Sequence, residues 1–218
     1  MSYTGAMKSY NQACPTARAL DVIGDRWSLL VLRELLIQGP CRYTDLAKGL
    51  PGIATSVLAD RLRSLEESGL IRREAAPPPI ATTLFHLTEE GRAVEPILVA
   101  LGRWAVEHLD GPGPDAEVQF HWFPFAASMY LRAHAAEGLP LVIQLETPFG
   151  SGVVEVRVEA VRTRVGTATS PDLTIKGTPQ SVIELLSGKA SLAESRSHGV
   201  TFDGNVGILA DFSNVVAS

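Results

Sequence analysis

Residues 43–73 read YTDLAKGLPGIATSVLADRLRSLEESGLIRR. Three leucines in this segment recur at i, i+4 and i+7: Leu58, Leu62 and Leu65. That spacing puts their side chains on one face of an α-helix, so we expect a helix over about 54–68. Gly69 follows it, and a glycine commonly occupies the position just after a helix C-terminus.

A second helix is expected just before this one, across a tight turn. The turn, 50–53, contains Pro51 and Gly52, which interrupt regular structure. Before the turn, Thr44 can cap a short helix over 45–49. Two helices joined in this way predict a helix-turn-helix, a unit whose second helix enters the major groove of DNA.

The flanking sequence predicts the remaining elements of a winged helix-turn-helix. Upstream, we expect helices over 15–23, with Pro15 at its first position, and over 26–37, capped by Asp25. Downstream, we expect two strands, over 70–73 and 83–87, joined by the proline-containing loop 74–82, and a last helix from about 88 to 109. The two strands are the expected wing.

The composition is that of a globular protein that needs no disulfide scaffold. The chain has 218 residues, of which 45% are hydrophobic and 20% charged, and it contains two cysteines. The apolar runs are far shorter than the ~18 residues needed to cross a bilayer. The polar N-terminus lacks the apolar segment of a secretory signal. We therefore expect a cytoplasmic protein with no membrane partner.

A linker divides the chain near its middle. Residues 110–115 read DGPGPD, through which neither a helix nor a strand can continue, so we expect two domains, 1–110 and 116–218. The formal net charge of −5 excludes a uniformly basic nucleic-acid-binding surface. Residues 42–73, however, carry six basic and four acidic side chains, so the most positive stretch coincides with the predicted helix-turn-helix.

The first half, over residues 8–109, resembles the HxlR-type winged-helix transcription regulators. The segments that carry the resemblance, in order and spacing, are 14–27, 33–35, 43–46, 50–53, 58–62, 65–71 and 85–92. The resemblance implies a homodimer, with the N-terminal and last helices at its interface, that reads a palindromic operator in double-stranded DNA.

The side chains expected to face DNA lie on the polar side of the 54–68 helix and beside the wing. They are Arg42, Thr55, Ser56, Ala59, Asp60, Arg63, Arg72 and Arg73. Hydroxyls near a helix N-terminus can reach base edges, and arginines can neutralise phosphates. The alternative is an ordinary solvated helix face. Asp60 repels phosphate unless it pairs with an arginine or accepts from a cytosine amine. Since the hairpin tip, 77–83, is uncharged, phosphate attraction by the wing must come from Arg72 and Arg73.

The second half has strand signals followed by helix signals. We expect strands over 139–146, 153–160, 161–166, 172–177 and 200–202. Between the last two we expect a helix over 180–187, capped by Thr178 with Pro179 at its first position, and a short helix over 191–195. This order resembles the sterol-carrier-protein fold. The resemblance implies an antiparallel sheet backed by helices with an apolar cavity between them, so the fold class of the whole chain is α+β.

A cluster of large apolar side chains accompanies these strands. Its members are Phe120, Trp122, Phe123, Phe125, Met129 and Phe149. Aromatic side chains dominate the lining of small-molecule pockets, so these residues can form a site for a small apolar ligand. Packing in the core or between domains is the alternative.

Cys14 stands immediately before the predicted helix over 15–23. A cysteine at a helix N-terminus can have a lowered pKa, which favours the reactive thiolate. Some HxlR-type regulators sense oxidants or electrophiles through a cysteine at this place, so the resemblance makes Cys14 a candidate redox sensor. The alternative is an inert packing residue, which is how we interpret Cys41.

Enzyme signatures are missing from the sequence. The five histidines have no metal-ligand spacing, and there is no HExxH, phosphate-binding loop, GxGxxG or nucleophile elbow. We expect no catalysis, cofactor or metal. The sequence predicts a DNA-binding regulator modulated by a small apolar effector through its second domain. Two alternatives are a lipid or small-molecule carrier whose winged helix serves only dimerisation, and an enzyme that uses the second domain's cavity.

Overall fold

The structure is a computed structural model that describes residues 9–76, 82–111, 113, 115–131, 140–157 and 160–209. The chain forms two compact units, residues 1–100 and 101–218, and the division falls inside a helix. Both helices and strands occur in each unit, in agreement with the expected α+β class.

Over its described residues, the first unit contains five helices and the beginning of a sixth. They are α1 (Pro15–Ile23), α2 (Ser28–Gln38), α3 (Tyr43–Gly49), α4 (Thr55–Glu67), α5 (Glu89–Arg92) and α6 (Glu95–His108). Three antiparallel strands, β1 (Cys41–Arg42), β2 (Ile71–Ala75) and β3 (Thr83–Leu87), form a sheet in the order β1-β3-β2. The described elements therefore form a winged helix-turn-helix, with α3 and α4 as its two helices and β2 and β3 as its wing.

The leucine stripe of α4 is buried, as its spacing predicts. Leu58, Leu62 and Leu65 belong to one hydrophobic core with residues of α2 and of the sheet. Gly69 has a φ of +74°, a left-handed conformation that glycine adopts without strain, and it ends the helix. Burial of this stripe directs the opposite face of α4 into solvent.

Two predicted helix caps in this unit are wrong. The N-cap of α3 is Arg42, whose backbone N–H donates to the Asp45 side chain (3.2 Å), so Thr44 lies inside the helix. Strand β1 explains the early start, because its pairing with β3 holds Arg42 extended. The N-cap of α2 is Trp27, so Asp25 does not cap this helix. The Asp25 carboxylate forms an ion pair with Arg61 of α4 instead.

The predicted last helix is two helices. Thr88 caps the first, α5, and its hydroxyl accepts from the backbone N–H of Gly91 (3.1 Å). The break follows from Pro96, which has no N–H to continue the hydrogen bonds of α5 but fits the first turn of a new helix.

A buried carboxylate links α2 to α3. Glu34 is fully buried, and its side chain accepts hydrogen bonds from Gln38 (2.6 Å) and Arg33 (2.7 Å). A Cβ atom at Gly49, the last residue of α3, would collide with Glu34 Oε2. The missing side chain at Gly49 therefore lets α3 approach the buried charge and its hydrogen-bond partners.

The described part of the second unit contains a five-stranded sheet and three further helices. The strands are β4 (Leu141–Thr147), β5 (Gly150–Arg157), β6 (Ala160–Val165), β7 (Leu173–Lys176) and β8 (Thr201–Gly204). The helices are α7 (Trp122–Leu131), α8 (Pro179–Leu186) and α9 (Leu192–Ser197). Helix α7 was not among the predicted elements; its sequence, WFPFAASMYL, is apolar on nearly every side and has no helical polar face.

The prediction of an antiparallel sheet is wrong in one respect. The strand order is β6-β5-β4-β7-β8, and β7 pairs with β4 in parallel, with Ile143 opposite Leu173. The chain makes a meander through β4, β5 and β6, and residues 166–172 then cross to the other side of β4. Local patterns predict where strands lie but do not determine which strands become neighbours.

One buried amide fixes this crossover. Gln144 of β4 is 3% exposed, and its Oε1 accepts from the backbone N–H of Ala168 (2.7 Å). Its Nε2 donates to the carbonyl of Gly152 on β5 (3.2 Å). Because a buried amide without partners is costly, these contacts favour a single path for the crossing segment.

The other face of this sheet carries the core of the second unit. Its fully buried side chains alternate along the central strands: Ile143, Leu145, Val154, Val156, Leu173 and Ile175. Helices α7 and α8 contribute to the same core, the latter through Val182 and Leu186. The predicted cap of α8 is confirmed, since the Thr178 hydroxyl accepts from Ser181 N (3.1 Å) and Pro179 is the first residue of the helix.

Candidate nucleic-acid interface

The outward face of α4 begins at its N-terminus. Thr55 and Ser56, in its first turn, are exposed, as are Asp60 and Arg63 one and two turns later, and Ala59 is partly exposed. The hydroxyl of Tyr43 donates to the carbonyl of Thr55 (2.8 Å), which ties the start of α3 to the start of α4.

Arg63 and Asp60 form an ion pair on this face. Their side chains lie 3.5 Å apart, at the i, i+3 spacing that brings helix residues together, and both are exposed. An arginine is one of the two partners that would let Asp60 lie close to DNA phosphates, the other being a cytosine amine.

Arg72 and Arg73 point to opposite faces of the wing, because adjacent residues of a strand alternate. Arg73 reaches α4, where its Nε donates to Glu66 Oε2 (2.7 Å). This hydrogen bond lowers the pKa of Glu66 and raises that of Arg73. Arg72 lies on the other face and donates to Glu74 Oε2 (2.5 Å).

Arg42 lies on the same face of the wing as Arg72. It is opposite Leu84 in the β1–β3 register, and Leu84 is opposite Glu74 in the β2–β3 register. Arg42 is exposed, and no carboxylate of the described residues forms an ion pair with its guanidinium. Arg42 and Arg72 therefore share one face of the wing, whereas Arg73 lies on the face that contacts α4.

Sequence reasoning missed the acidic and aromatic partners of these side chains. Glu66 pairs with Arg73, and Glu74 pairs with Arg72. His86 lies beside Glu74, and the Tyr43 hydroxyl donates to the carbonyl of Thr55. The separation of Glu74 from Arg72 by two residues is a usable signal, since i and i+2 share a face of a strand. The uncharged hairpin tip falls largely outside the described residues, which resume at Thr82.

The two cysteines have opposite environments. Cys14 is exposed at the N-cap of α1, and hydrogen bonds from the backbone N–H groups of Ala17 and then Thr16 lower the pKa of its thiol. Burial, together with the carboxylates of Asp45 and Glu34, raises the pKa of Cys41 to about 12. Its thiol also donates to the carbonyl of Gly39 (3.1 Å).

The predicted pocket residues of the second unit are divided between core and surface. Phe123 and Phe125 are buried, Phe120, Trp122 and Met129 are half-buried, and Phe149 is 65% exposed in the turn between β4 and β5. The rings of Phe120 and Phe123 lie 6.0 Å apart. Phe120 also packs against Gly150, where a Cβ atom would lie 3.1 Å from the ring.

Metal-ligand clusters and membrane-spanning helices are both absent from the described residues. Within the residues that the structure describes, no cluster of three histidine, cysteine or acidic side chains is arranged to hold a metal ion. Over the same residues, none of the helices has the length and apolar character needed to cross a membrane.

Comparison with known proteins places the similarity in the first half of the chain. The profile of the HxlR-like helix-turn-helix family matches residues 22–112. The uncharacterized HTH-type transcriptional regulator YvaP of Bacillus subtilis is 33% identical over 101 residues, which are 46% of this chain and 93% of YvaP. An uncharacterized HTH-type regulator of Synechocystis, sll1512, is 37% identical over 97 residues, 44% of this chain and 71% of that protein.

A solved structure, the reduced form of the transcriptional regulator YodB from B. subtilis, matches 47% of this chain and 100% of its own, with 27% identity and a TM-score of 0.41.

The difference between the two thiols predicts selective alkylation. At pH 7, iodoacetamide should modify Cys14 first, because its lowered pKa increases the thiolate fraction and the side chain is open to solvent. Cys41 should react only after unfolding. Peptide mass spectrometry over time measures both rates, and Cys14→Ser serves as the control that leaves Cys41 alone. Equal and slow labelling of both thiols in the native protein would contradict this assignment.

Proposed function

The chain belongs to the HxlR-like helix-turn-helix family, and we propose that this transcriptional regulator binds a palindromic operator as a homodimer. The observation that carries the proposal is the polar, exposed face of α4 beside the arginines of the wing. An α-helix fits the major groove, where Thr55 and Ser56 reach base edges. Arg42, Arg63 and the two wing arginines contact phosphates.

The ion pairs of this surface fit such a role. Exposed pairs contribute little to stability, so a phosphate can replace a carboxylate as the partner of an arginine at small cost. Arg73 exchanges Glu66 for phosphate, and Arg72 exchanges Glu74. The acidic partners weaken the sequence-independent attraction of this surface to DNA phosphates. Contacts with base edges therefore contribute a larger share of the binding free energy.

A homodimer is supported by an apolar stripe on α6. Ile97, Leu101 and Trp104 are 46%, 48% and 50% exposed and recur at i, i+4 and i+7 on one face of the helix. A second copy that covers this stripe supplies the two-fold symmetry that a palindromic site requires.

The second unit adds control by a small apolar effector. Its sheet has one face covered by helices, and one of these helices, α7, carries the buried rings of Phe123 and Phe125, an arrangement compatible with a sterol-carrier-like fold. An effector acts by binding the DNA-competent and the incompetent dimers with different affinities. Cys14 provides a second input, through reaction of its thiolate with an external oxidant or electrophile. We assign the protein to the cytoplasm, where regulators of this kind meet DNA.

DNA binding is tested by fluorescence anisotropy with the DNA upstream of the protein's own gene and with a scrambled duplex. Arg72→Ala with Arg73→Ala should weaken binding to both duplexes and reduce the salt slope by about 1 per lost phosphate contact. Glu66→Gln should strengthen binding to both, because it frees Arg73. Thr55→Ala or Ser56→Ala should instead change the preference between duplexes, by ~1–3 kcal/mol for a base contact.

The matched control is Arg162→Ala, which removes an exposed arginine of β6 in the second unit. Its affinity and salt slope should equal those of the wild type. If the double wing variant keeps both quantities unchanged, the wing does not contact phosphate. If the wild type binds neither duplex at low salt, the proposed function is wrong.

Dimerisation is tested by light scattering at micromolar concentration. The wild type should have twice the mass of one chain, and Leu101→Glu with Trp104→Glu should have the mass of one chain, because burial of two carboxylates in an apolar interface is costly. Val118→Glu, at another exposed apolar residue, is the control and should remain dimeric. A monomeric wild type with intact DNA binding would overturn the dimer.

The effector is tested by a thermal-shift screen of sterols, fatty acids and aromatic metabolites on the full chain. A ligand at 100 times its Kd should stabilise the folded protein by ~2.7 kcal/mol. Phe125→Ala should reduce this stabilisation, whereas Phe149→Ala should not, since that ring is already mostly in solvent. No shift with any ligand, or equal effects of the two variants, would remove the effector from the proposal.

A further inference from the structure

A histidine shares the carboxylate that holds Arg72. Glu74 Oε2 lies 2.5 Å from Arg72 Nη1 and 3.6 Å from His86 Nε2. The second distance is too long for a hydrogen bond but short enough for a small side-chain rotation to close it. One oxygen atom is therefore placed between two groups that can donate to it.

Strand register places these three side chains together. His86 of β3 is directly opposite Arg72 of β2, and Glu74 is two residues farther along β2. Residues i and i+2 of a strand share a face, as do residues directly opposite each other. The side chains of Arg72, Glu74 and His86 are consequently on the same outer face of the wing, which also carries Arg42.

The imidazole is poorly satisfied in its present position. The side chain of His86 is 17% exposed, and its Nε2 is buried without a hydrogen-bond partner among the described residues. A buried polar atom that lacks a partner is unfavourable. Protonation makes Nε2 a charged donor, for which Glu74 is the nearby acceptor.

Other charged groups lie on the elements that pack against β3. Besides Arg72 and Glu74, they are Arg73 on β2, Arg42 on β1, Arg33 and Glu34 on α2, Asp45 and Lys48 on α3, and Glu89, Glu90 and Arg92 on α5. Within the described part of the chain, Glu74 is the carboxylate that forms an ion pair with His86. The hydrogen bond from Arg72 and, to a smaller degree, the charge of His86 lower the pKa of Glu74, so this carboxylate stays ionised near neutral pH.

We propose that protonation of His86 draws Glu74 away from Arg72 and makes DNA binding by the wing stronger at acidic pH. Histidine is the side chain whose charge ordinarily changes between pH 5 and 8. When the imidazole is neutral, Glu74 is held by Arg72 alone, and Arg72 must exchange this carboxylate for a phosphate. When the imidazole is protonated, it binds Glu74, Arg72 reaches a phosphate without that exchange, and the wing gains one positive charge. The proposal rests on the proposed function and adds regulation of the same surface by pH.

The test compares DNA affinity at pH 8 and pH 6 at equal ionic strength, with the full chain and a labelled duplex. Wild-type affinity should rise about tenfold on acidification, as for one added charge-assisted contact, and the salt slope should steepen by about 1 per wing. His86→Gln should have weak binding at both pH values. Glu74→Gln should bind more strongly than the wild type at pH 8, because Arg72 is free throughout, and should gain less on acidification than the wild type, because only the charge of His86 is then added. His198→Gln, at an exposed histidine of the second unit, is the control and should behave as the wild type.

A measurement without DNA separates this proposal from the function on which it rests. In NMR spectra, the guanidinium signals of Arg72, whose Nη1 contacts Glu74, should shift between pH 8 and pH 6 in the wild type and should stay fixed in His86→Gln. A fixed signal in the wild type overturns the switch even if the protein binds DNA. Full pH dependence in His86→Gln, or wild-type behaviour of Glu74→Gln, also overturns it. Absence of DNA binding at both pH values overturns the proposed function itself.

Discussion

The burial of one face of α4 is the constraint on which the arrangement of the first unit depends. With Leu58, Leu62 and Leu65 in the core, the rotation of the helix about its axis is fixed. The polar residues between the leucines are then directed outward by the packing of the leucines themselves. Since a leucine-to-alanine change in such a core typically costs ~2–5 kcal/mol, a rotated helix is not an accessible alternative.

Electrostatics on this outward surface are balanced rather than strongly positive. The arginines at positions 63, 72 and 73 each meet a carboxylate, and the chain as a whole is acidic. A protein with this surface approaches DNA without the strong general attraction that a basic protein has. In the function we propose, discrimination between sequences then depends more on the first turn of α4, where the hydroxyls of Thr55 and Ser56 are exposed.

Much of the local structure could be predicted from the sequence, because its causes are local. The bounds of α1 and β3 agree with the predicted ones, and the Thr178 cap follows from a threonine–proline pair. What could not be predicted depends on contacts between distant residues. The cap of α3 depends on β1, which exists only because β3 lies beside it. The ion pair of Arg73 joins a strand to a helix, and the parallel β4–β7 pair depends on a choice of neighbour that no local pattern contains.

The crossover held by Gln144 has a consequence for the order in which the protein forms during synthesis. Strand β4 is the middle strand of its sheet, and one of its two neighbours, β7, is about thirty residues later in the chain. The centre of that sheet stays unpaired on one side until residues 173–176 have left the ribosome. The first unit also contains a long-range strand pair, β1 with β3, in which Cys41 is opposite Phe85, but both of these strands leave the ribosome before the second unit is made. A nascent chain therefore carries a complete first unit while the second still exposes an open, apolar strand, and this interval is when the protein is most exposed to aggregation.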